Sequence, residues 1–434
     1  MSASKWKPYP EYKPTNEPWI PSIPLHWETK PLQFVFEEKK NPNKAGNEKN
    51  VLSLSYGKII RKDISKNLGL LPASFDTYNI VEPESIILRL TDLQNDKKSL
   101  RVGLVNERGI ITSAYLCIKS KTSSMNRYGY LLLHAFDLTK IFYAIGDGVR
   151  QSMGYEQMRK LGIAIPSKNE REKIIEFCEH IDSTIERLVE SLQEEMLLLK
   201  EKCSALITKA VTKGLNPDVT MKDSGIEKIP EHWEVINLRY LLKHKITDGP
   251  HETPVFVDEG FPFLSVDGIQ EGELVFEGCR FISQKDHIEY SRKVKPMKGD
   301  LLMGKAASTG KIAQVKVDFE FSIWSPLAWI RPNNMITSDF LEFALKGEYI
   351  QSQVEMLCTI STQKNISMQD IPRIKVIIPP KAEQKEISDY IKKSTSIISE
   401  QKQILTKQIL KLKEYRTALI SAAVTGKIDV RESV

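Results

Sequence analysis

The chain is written twice, and this limits its possible folds more than any other feature. Ile-Pro-Leu-His-Trp-Glu at Ile23–Glu28 recurs 206 residues later as Ile-Pro-Glu-His-Trp-Glu at Ile229–Glu234. A second match opens at Ile163-Ala-Ile-Pro166 and Val376-Ile-Ile-Pro379, at a spacing of 213. It runs without a gap to Ala205-Leu-Ile-Thr-Lys-Ala-Val-Thr212 and Ala418-Leu-Ile-Ser-Ala-Ala-Val-Thr425. Each half thus has a similar start, a divergent middle and a similar end. The first middle holds Val51-Leu-Ser-Leu-Ser-Tyr-Gly-Lys-Ile-Ile-Arg61, whereas the second holds Thr247-Asp-Gly-Pro-His-Glu-Thr-Pro254. A kept frame with two unlike inserts suggests one scaffold holding two different readers.

The shared ends predict long helices. Ile174, Ile181, Ile185, Leu188, Leu192, Leu199, Leu206 and Ala210 follow steps of three, four and seven, the spacing of one helix face. Neither Pro nor Gly interrupts Lys168 to Lys213, and Gly214 with Pro217 supplies the stop. The second copy carries Ile387, Ile391, Ile398, Leu405, Leu412, Leu419 and Ala423, and ends at Gly426. At roughly 1.5 Å per residue, about 45 residues span nearly 70 Å. One apolar stripe on so long a helix must be buried against something. The first helix has 8 basic and 10 acidic residues, and the second, over Lys381–Lys427, has 10 and 5. Opposite net charge favours pairing the two with each other, although two chains could also pair through one seam. Small residues near the ends (Ala205, Ala210, Ala418, Ala422, Ala423) would allow close approach. If the second helix returns antiparallel along the first, the product is two globular units on a two-helix spacer, related by a pseudo-two-fold axis.

The units show short β-type runs between turn signals. Examples are Ser85–Leu90, Gly109–Thr112, Ala114–Ile118 and Pro326–Ile330; Ser338–Lys346 reads as helix. An α+β fold is expected for each. The expected division is 1–162 and 218–375 for the globular units, with 163–217 and 376–434 as the shared helical regions. The first unit has 24 basic and 16 acidic residues, which suits a polyanion. The second has 19 and 23, so it suits one only if its cations cluster, as Arg292-Lys-Val-Lys295, Lys298, Lys305 and Lys311 could.

Composition removes several classes. With 41% hydrophobic and 27% charged residues, the 434-residue chain is ordinary globular material. Five scattered Cys without a C-x-x-C argue against a zinc ribbon or a disulfide framework. No apolar run approaches the ~20 residues of a membrane span; Tyr128–Ile145 is broken by His134, Asp137 and Lys140. The opening Met1-Ser-Ala-Ser-Lys-Trp-Lys-Pro8 lacks a signal-peptide core, so a cytoplasmic protein is expected. Gly304-Lys-Ala-Ala-Ser-Thr-Gly-Lys311 has five residues between its glycines and Ile312 after Lys311, unlike a P-loop, but such a turn can still offer N–H groups and cations to phosphates. Asn41-Pro-Asn43 and Asn216-Pro-Asp218 lack the second Pro and aromatic ring of an amino-methyltransferase motif. Gly146-Asp-Gly148 is too short for a cofactor loop, no His pair has metal spacing, and no Gly-x-Ser-x-Gly occurs. His26 and His232 are read as turn caps beside buried Trp27 and Trp233. A non-catalytic chain is expected.

The order of these pieces resembles the specificity subunit of type I restriction-modification systems. The second middle adds Asp248-Gly-Pro-His-Glu-Thr-Pro254, Gly260-Phe-Pro-Phe-Leu264, Val294-Lys-Pro-Met-Lys-Gly-Asp-Leu-Leu302, Thr309-Gly-Lys-Ile-Ala313 and Ser361-Thr-Gln-Lys-Asn-Ile-Ser367, similar to that family's target-recognition domains; the first adds Gly148-Val-Arg-Gln-Ser-Met153. The resemblance covers nearly the whole chain. Glu170-Arg171 departs from the family's Glu-Gln, which Glu383-Gln384 keeps. The resemblance implies two target-recognition domains, each reading one half of an asymmetric split site in double-stranded DNA, with the helices setting the gap. It implies docking of two methyltransferase subunits and recruitment of two restriction subunits. S-adenosylmethionine then belongs to the former and ATP with magnesium to the latter, and this chain binds no cofactor. Base readout needs long polar side chains in the major groove. Candidates are Tyr56, Lys58, Arg61, Lys62, Lys97, Lys98, Arg101, Arg150 and Gln151 in the first unit. In the second they are His251, Thr253, Lys305, Ser308, Lys311, Gln363 and Lys364. A duplicated protein-interaction scaffold without a DNA role is the alternative.

Overall fold

The computed structural model describes residues 6–63, 74–93, 100–145, 153–306, 308–360 and 364–432. The chain is α+β, with two sheet-rich bodies and two long helices, the central helix Lys168–Lys213 and the C-terminal helix Lys381–Val424. It divides into unit 1, residues 1–192 with 407–434, and unit 2, residues 193–406. The division cuts through both helices, so each unit owns a sheet-rich body and a piece of each helix.

Within unit 1, Ile174, Phe177 and Cys178 of the central helix share one core with Ile420, Ala423 and Val424 of the C-terminal helix. Arg416 Nη1 donates to Asp182 Oδ1 at 3.0 Å between the same two helices. Within unit 2, Ile207, Ala210 and Val211 share a core with Ile387 and Ile391. The start of one helix thus lies with the end of the other in each unit, which is antiparallel pairing. The expected second stripe is buried or half-buried throughout. The first is buried mainly towards its ends; Leu188, expected on the seam, is exposed, as are Ala205 and Ala418.

Although their sequences differ, the two sheet-rich bodies share the strand order of one four-stranded sheet. In unit 1 a four-stranded sheet runs Glu37–Glu38, Leu116–Lys119, Ile86–Leu88, Val102–Leu104; in unit 2 the order is Thr247–Asp248, Leu327–Ile330, Leu301–Gly304, Ile312–Gln314. In both, a helix follows the second-placed strand, Ser123–Leu138 or Ser338–Lys346. Both also carry a hairpin with a two-residue left-handed turn. Tyr56 and Gly57 have φ of 48° and 78°, and Glu271 and Gly272 have 48° and 83°. Such turns match the right-handed strand twist.

The repeated landmarks build the join between body and helix. Glu28–Pro31 pairs antiparallel with Gly162–Ile165, and Glu234–Asn237 pairs in the same way with Lys375–Ile378. Trp27 and Trp233 are fully buried. Their neighbouring histidines do not cap turns. His26 Nε2 lies 2.9 Å from Glu170 Oε2, and His232 Nε2 lies 2.6 Å from Glu383 Oε1, so each ties the opening motif to the first turn of a long helix. The Arg171 departure proves benign: its Nη1 donates to the Pro166 carbonyl at 3.0 Å, and Gln384 Nε2 donates to the equivalent Pro379 carbonyl at 3.0 Å.

Candidate nucleic-acid interface

In unit 2, three segments far apart in sequence meet around one carboxylate. Asp248 ends an edge strand and is buried, with 6% of its surface exposed. Its Oδ1 accepts from Lys293 Nζ at 3.0 Å, and its Oδ2 accepts from Lys305 Nζ. His251 Nε2 lies 3.3 Å from the same Oδ2. Burial alone would raise the Asp248 pKa, but the hydrogen bonds from Lys305 and Lys293 outweigh it and hold the carboxyl below its ordinary value. Gly249 allows the loop to lie this close, because a Cβ there would stand 1.8 Å from the Ile323 carbonyl oxygen. No other residue fits without moving the backbone.

The glycine-rich loop after Leu301–Gly304 forms the next wall. Gly310 N–H donates to the Gly304 carbonyl at 2.9 Å, closing the loop on itself. The short hairpin of Cys358–Ile360 and Lys364–Ile366 docks on it: Ile366 N–H donates to the Lys305 carbonyl at 2.9 Å, and Thr309 Oγ1 to the Lys364 carbonyl at 2.8 Å. Lys364 itself pairs with Glu355. Of the cations expected to cluster, Lys293 and Lys305 meet at Asp248, whereas Lys295 pairs with Glu320 and Lys298 with Asp318. A separate pocket of ≈ 290 Å³ in unit 2 is lined by Phe256, Phe263 and Trp324. The Arg280 guanidinium lies 4.5 Å over the Phe256 ring. Aromatic faces beside guanidinium groups suit bases, and clustered ammonium groups suit phosphates.

The structure thus brings His251, Lys305, Ser308 and Lys364 to one region, with Thr253 exposed on the same loop as His251. Lys311 points elsewhere, its Nζ 3.4 Å from the Ile269 carbonyl. In unit 1 the described candidates do not converge. Tyr56 is 85% exposed at the hairpin turn, and Lys58 Nζ is 3.7 Å from Glu186 on the central helix. Arg61 grips Glu107 through Nε at 2.7 and 2.8 Å, and Lys62 is exposed. Arg101 is corrected to a structural role. It is fully buried, and its guanidinium donates to the Arg89, Thr91 and Asp92 carbonyls at 3.0, 2.8 and 3.2 Å. Lys97, Lys98, Arg150, Gln151 and Gln363 lie outside the described residues. Asp248 and Lys293 were missed as members of the site; the Asp248-Gly-Pro and Arg292-Lys-Val-Lys runs were the signals for them.

Among the described residues no group of three or more His, Cys, Asp and Glu is placed to hold a metal ion, and no helix is long and apolar enough to cross a membrane. Burial pushes the Cys117 thiol up to about 11 and the Cys178 thiol up to about 12, the opposite of an activated nucleophile.

Comparison with known proteins agrees with this geometry. The family described as type I restriction modification DNA specificity domain matches residues 230–409. The putative type I restriction enzyme MjaX specificity subunit of Methanocaldococcus jannaschii is 27% identical over 311 residues, covering 70% of this chain and 68% of that protein. The MjaVIII specificity subunit of the same organism is 22% identical over 365 residues, covering 81% of each. A solved structure from work on complex assembly and conformational transition of the type I R-M system has the same fold, with a TM-score of 0.65 and 15% identity over 93% of this chain and 98% of that one. With the duplicated frame and the paired long helices, the chain is similar to the type I restriction enzyme specificity subunits.

Proposed function

We propose that this chain reads an asymmetric, split site in double-stranded DNA, one half by each recognition body, and performs no bond-making itself. The observation that supports the reading is one shared four-stranded sheet order carrying two unlike loop sets. Identical bodies would read a symmetric site; bodies with one frame and different loops read two different halves. In unit 2 the reading surface is the region around Asp248, with Lys293, Lys305 and Lys364 for phosphates, and the pocket lined by Phe256 and Trp324 takes a base edge. The antiparallel helices act as the ruler that leaves a gap unread. Major-groove half-sites one helical turn apart, ~34 Å, need a rigid spacer of this kind.

Partner docking belongs to the helix faces that the pairing leaves open. Tyr390, Ile397 and Ile404 recur every seven residues on the C-terminal helix and are all exposed, next to the buried stripe of Ile391, Ile398 and Leu405. Leu197 and Leu410 occupy equivalent repeat positions and are exposed to 55% and 56%. A second apolar stripe beside a buried seam suits further helices. We assign these faces to two methyltransferase subunits, which would bring S-adenosylmethionine, while restriction subunits would bring ATP and magnesium.

The test is a gel shift with the chain and its methyltransferase subunit, combined with mapping of methylated adenines in the source cell. Exchanging Gly46–Gly162 for another such insert should change one half of the methylated site and leave the other intact. Unchanged selectivity, or DNA binding absent at every salt concentration, would favour a protein-interaction scaffold instead.

A further inference from the structure

Two short 3-10 turns hold the same place in their units. Leu32–Phe34 follows the strand Glu28–Pro31, and Leu238–Leu241 follows Glu234–Asn237. Leu32 N–H donates to the Leu161 carbonyl at 2.9 Å, and Leu238 N–H donates to the Ile374 carbonyl at 2.8 Å. Both leucines are fully buried. Two residues on, each turn exposes an aromatic ring: Phe34 is 72% exposed and Tyr240 56%. Their spacing is that of the two buried tryptophans.

A single exposed aromatic needs no explanation. The same exposed aromatic in both copies does, because it serves neither core and the recognition inserts downstream share no such residue. The Tyr240 ring also has a guanidinium on it. The Arg239 guanidinium lies 4.6 Å over the Tyr240 ring and donates through Nη2 to its hydroxyl at 2.8 Å. In unit 1 the matching position is Gln33, whose Oε1 accepts from Arg159 Nη1 at 3.1 Å. Aromatic rings with Arg are the combination that concentrates binding energy at protein interfaces.

We infer that Phe34 and Tyr240 are twin anchors for one protein species bound once at each unit, each ring entering an apolar socket on that partner. Two unlike DNA half-sites call for unlike surfaces, whereas a partner identical at both places calls for like ones. Burying the ring removes apolar surface from water, and at Tyr240 the Arg239 guanidinium adds orientation. The inference rests on the function proposed above, under which this partner is the methyltransferase subunit; it adds two anchor residues outside the long helices.

The full chain is co-expressed with the methyltransferase subunit, and stoichiometry and affinity are read by native mass spectrometry and titration. The unsubstituted chain carries two partners. Phe34→Ala and Tyr240→Ala each weaken one of the two sites about tenfold or more, and the double variant weakens both. Phe34→Tyr and Tyr240→Phe retain both partners, and all variants keep the melting temperature of the unsubstituted chain. A double variant that still binds two partners at full affinity overturns the inference. So does one that keeps both partners but loses DNA affinity, which would make the rings base contacts, or one that changes only self-association. If the unsubstituted chain captures no methyltransferase subunit, the proposed function itself falls, and the anchors with it.

Discussion

At the scale of single residues, charge and burial divide the polar side chains into supports and contacts. Asp248 is a support for Lys293 and Lys305. Asp248→Asn would leave the Lys305 ammonium, only 12% exposed, without its counter-charge, and removing one partner of a buried pair costs about 3 kcal/mol. Urea unfolding should show a loss of that size, and DNA affinity should fall with it. His134 gives unit 1 a defined acid sensitivity. Burial, with the Arg416 charge adding to it, pushes its pKa down to about 4, so the folded chain holds the neutral ring. Between the ordinary value near 6.5 and about 4 the unfolded chain binds more protons than the folded one. Stability from this group is complete above the upper value and is lost as pH falls through that window. His134→Gln should flatten this slope in melting curves measured from neutral pH to about 4. Gly426 is a third such position. Its φ is +72°, and a Cβ would stand 2.5 Å from Pro24 Cδ. Gly426→Ala combines left-handed strain with a clash and should cost about 2 kcal/mol, seen as a lower melting temperature of unit 1.

At the scale of elements, the long helices carry two stripes with different purposes. Ile391 is fully buried in the unit 2 core, whereas Ile397, nearly two turns on, is half exposed. Ile391→Ala should therefore cost about 3 kcal/mol of stability, through lost transfer energy and an unfilled cavity. Ile397→Ala should change stability by less than about 0.5 kcal/mol and instead weaken capture of the methyltransferase subunit. Denaturant midpoints and co-purification on the two variants separate these effects. The matched bonds of Arg171 and Gln384 to equivalent proline carbonyls show that the helix start needs a side-chain donor there rather than a charge.

At the scale of the whole molecule, one polyanion contacted by many ammonium groups has a measurable signature. Affinity of the assembled complex for its site should fall linearly with salt on logarithmic axes, and each lysine removed from a phosphate contact should lower that slope by about 1. Lys293→Gln and Lys364→Gln are the variants to compare, since both are about half exposed and neither holds a core together. An unchanged slope in both would move the phosphate contacts away from the Asp248 region.

The repeat by itself determined two bodies, two long helices and the burial of Trp27 and Trp233, because these rest on local periodicity and on motifs that survive duplication. Hydrophobic spacing of three and four is legible without knowing what a helix touches. Only the tertiary structure decided that the two divergent middles share one strand order, because strand pairing joins residues far apart and many sequences satisfy the same register. It also decided the fate of individual cations. Arg101 and Lys305 look alike in the sequence, yet the carbonyls of Arg89, Thr91 and Asp92 enclose the first, while Asp248 holds the second beside exposed His251. Whether a charged side chain meets solvent or a ring of backbone acceptors is set by how distant segments pack, and no local pattern encodes that.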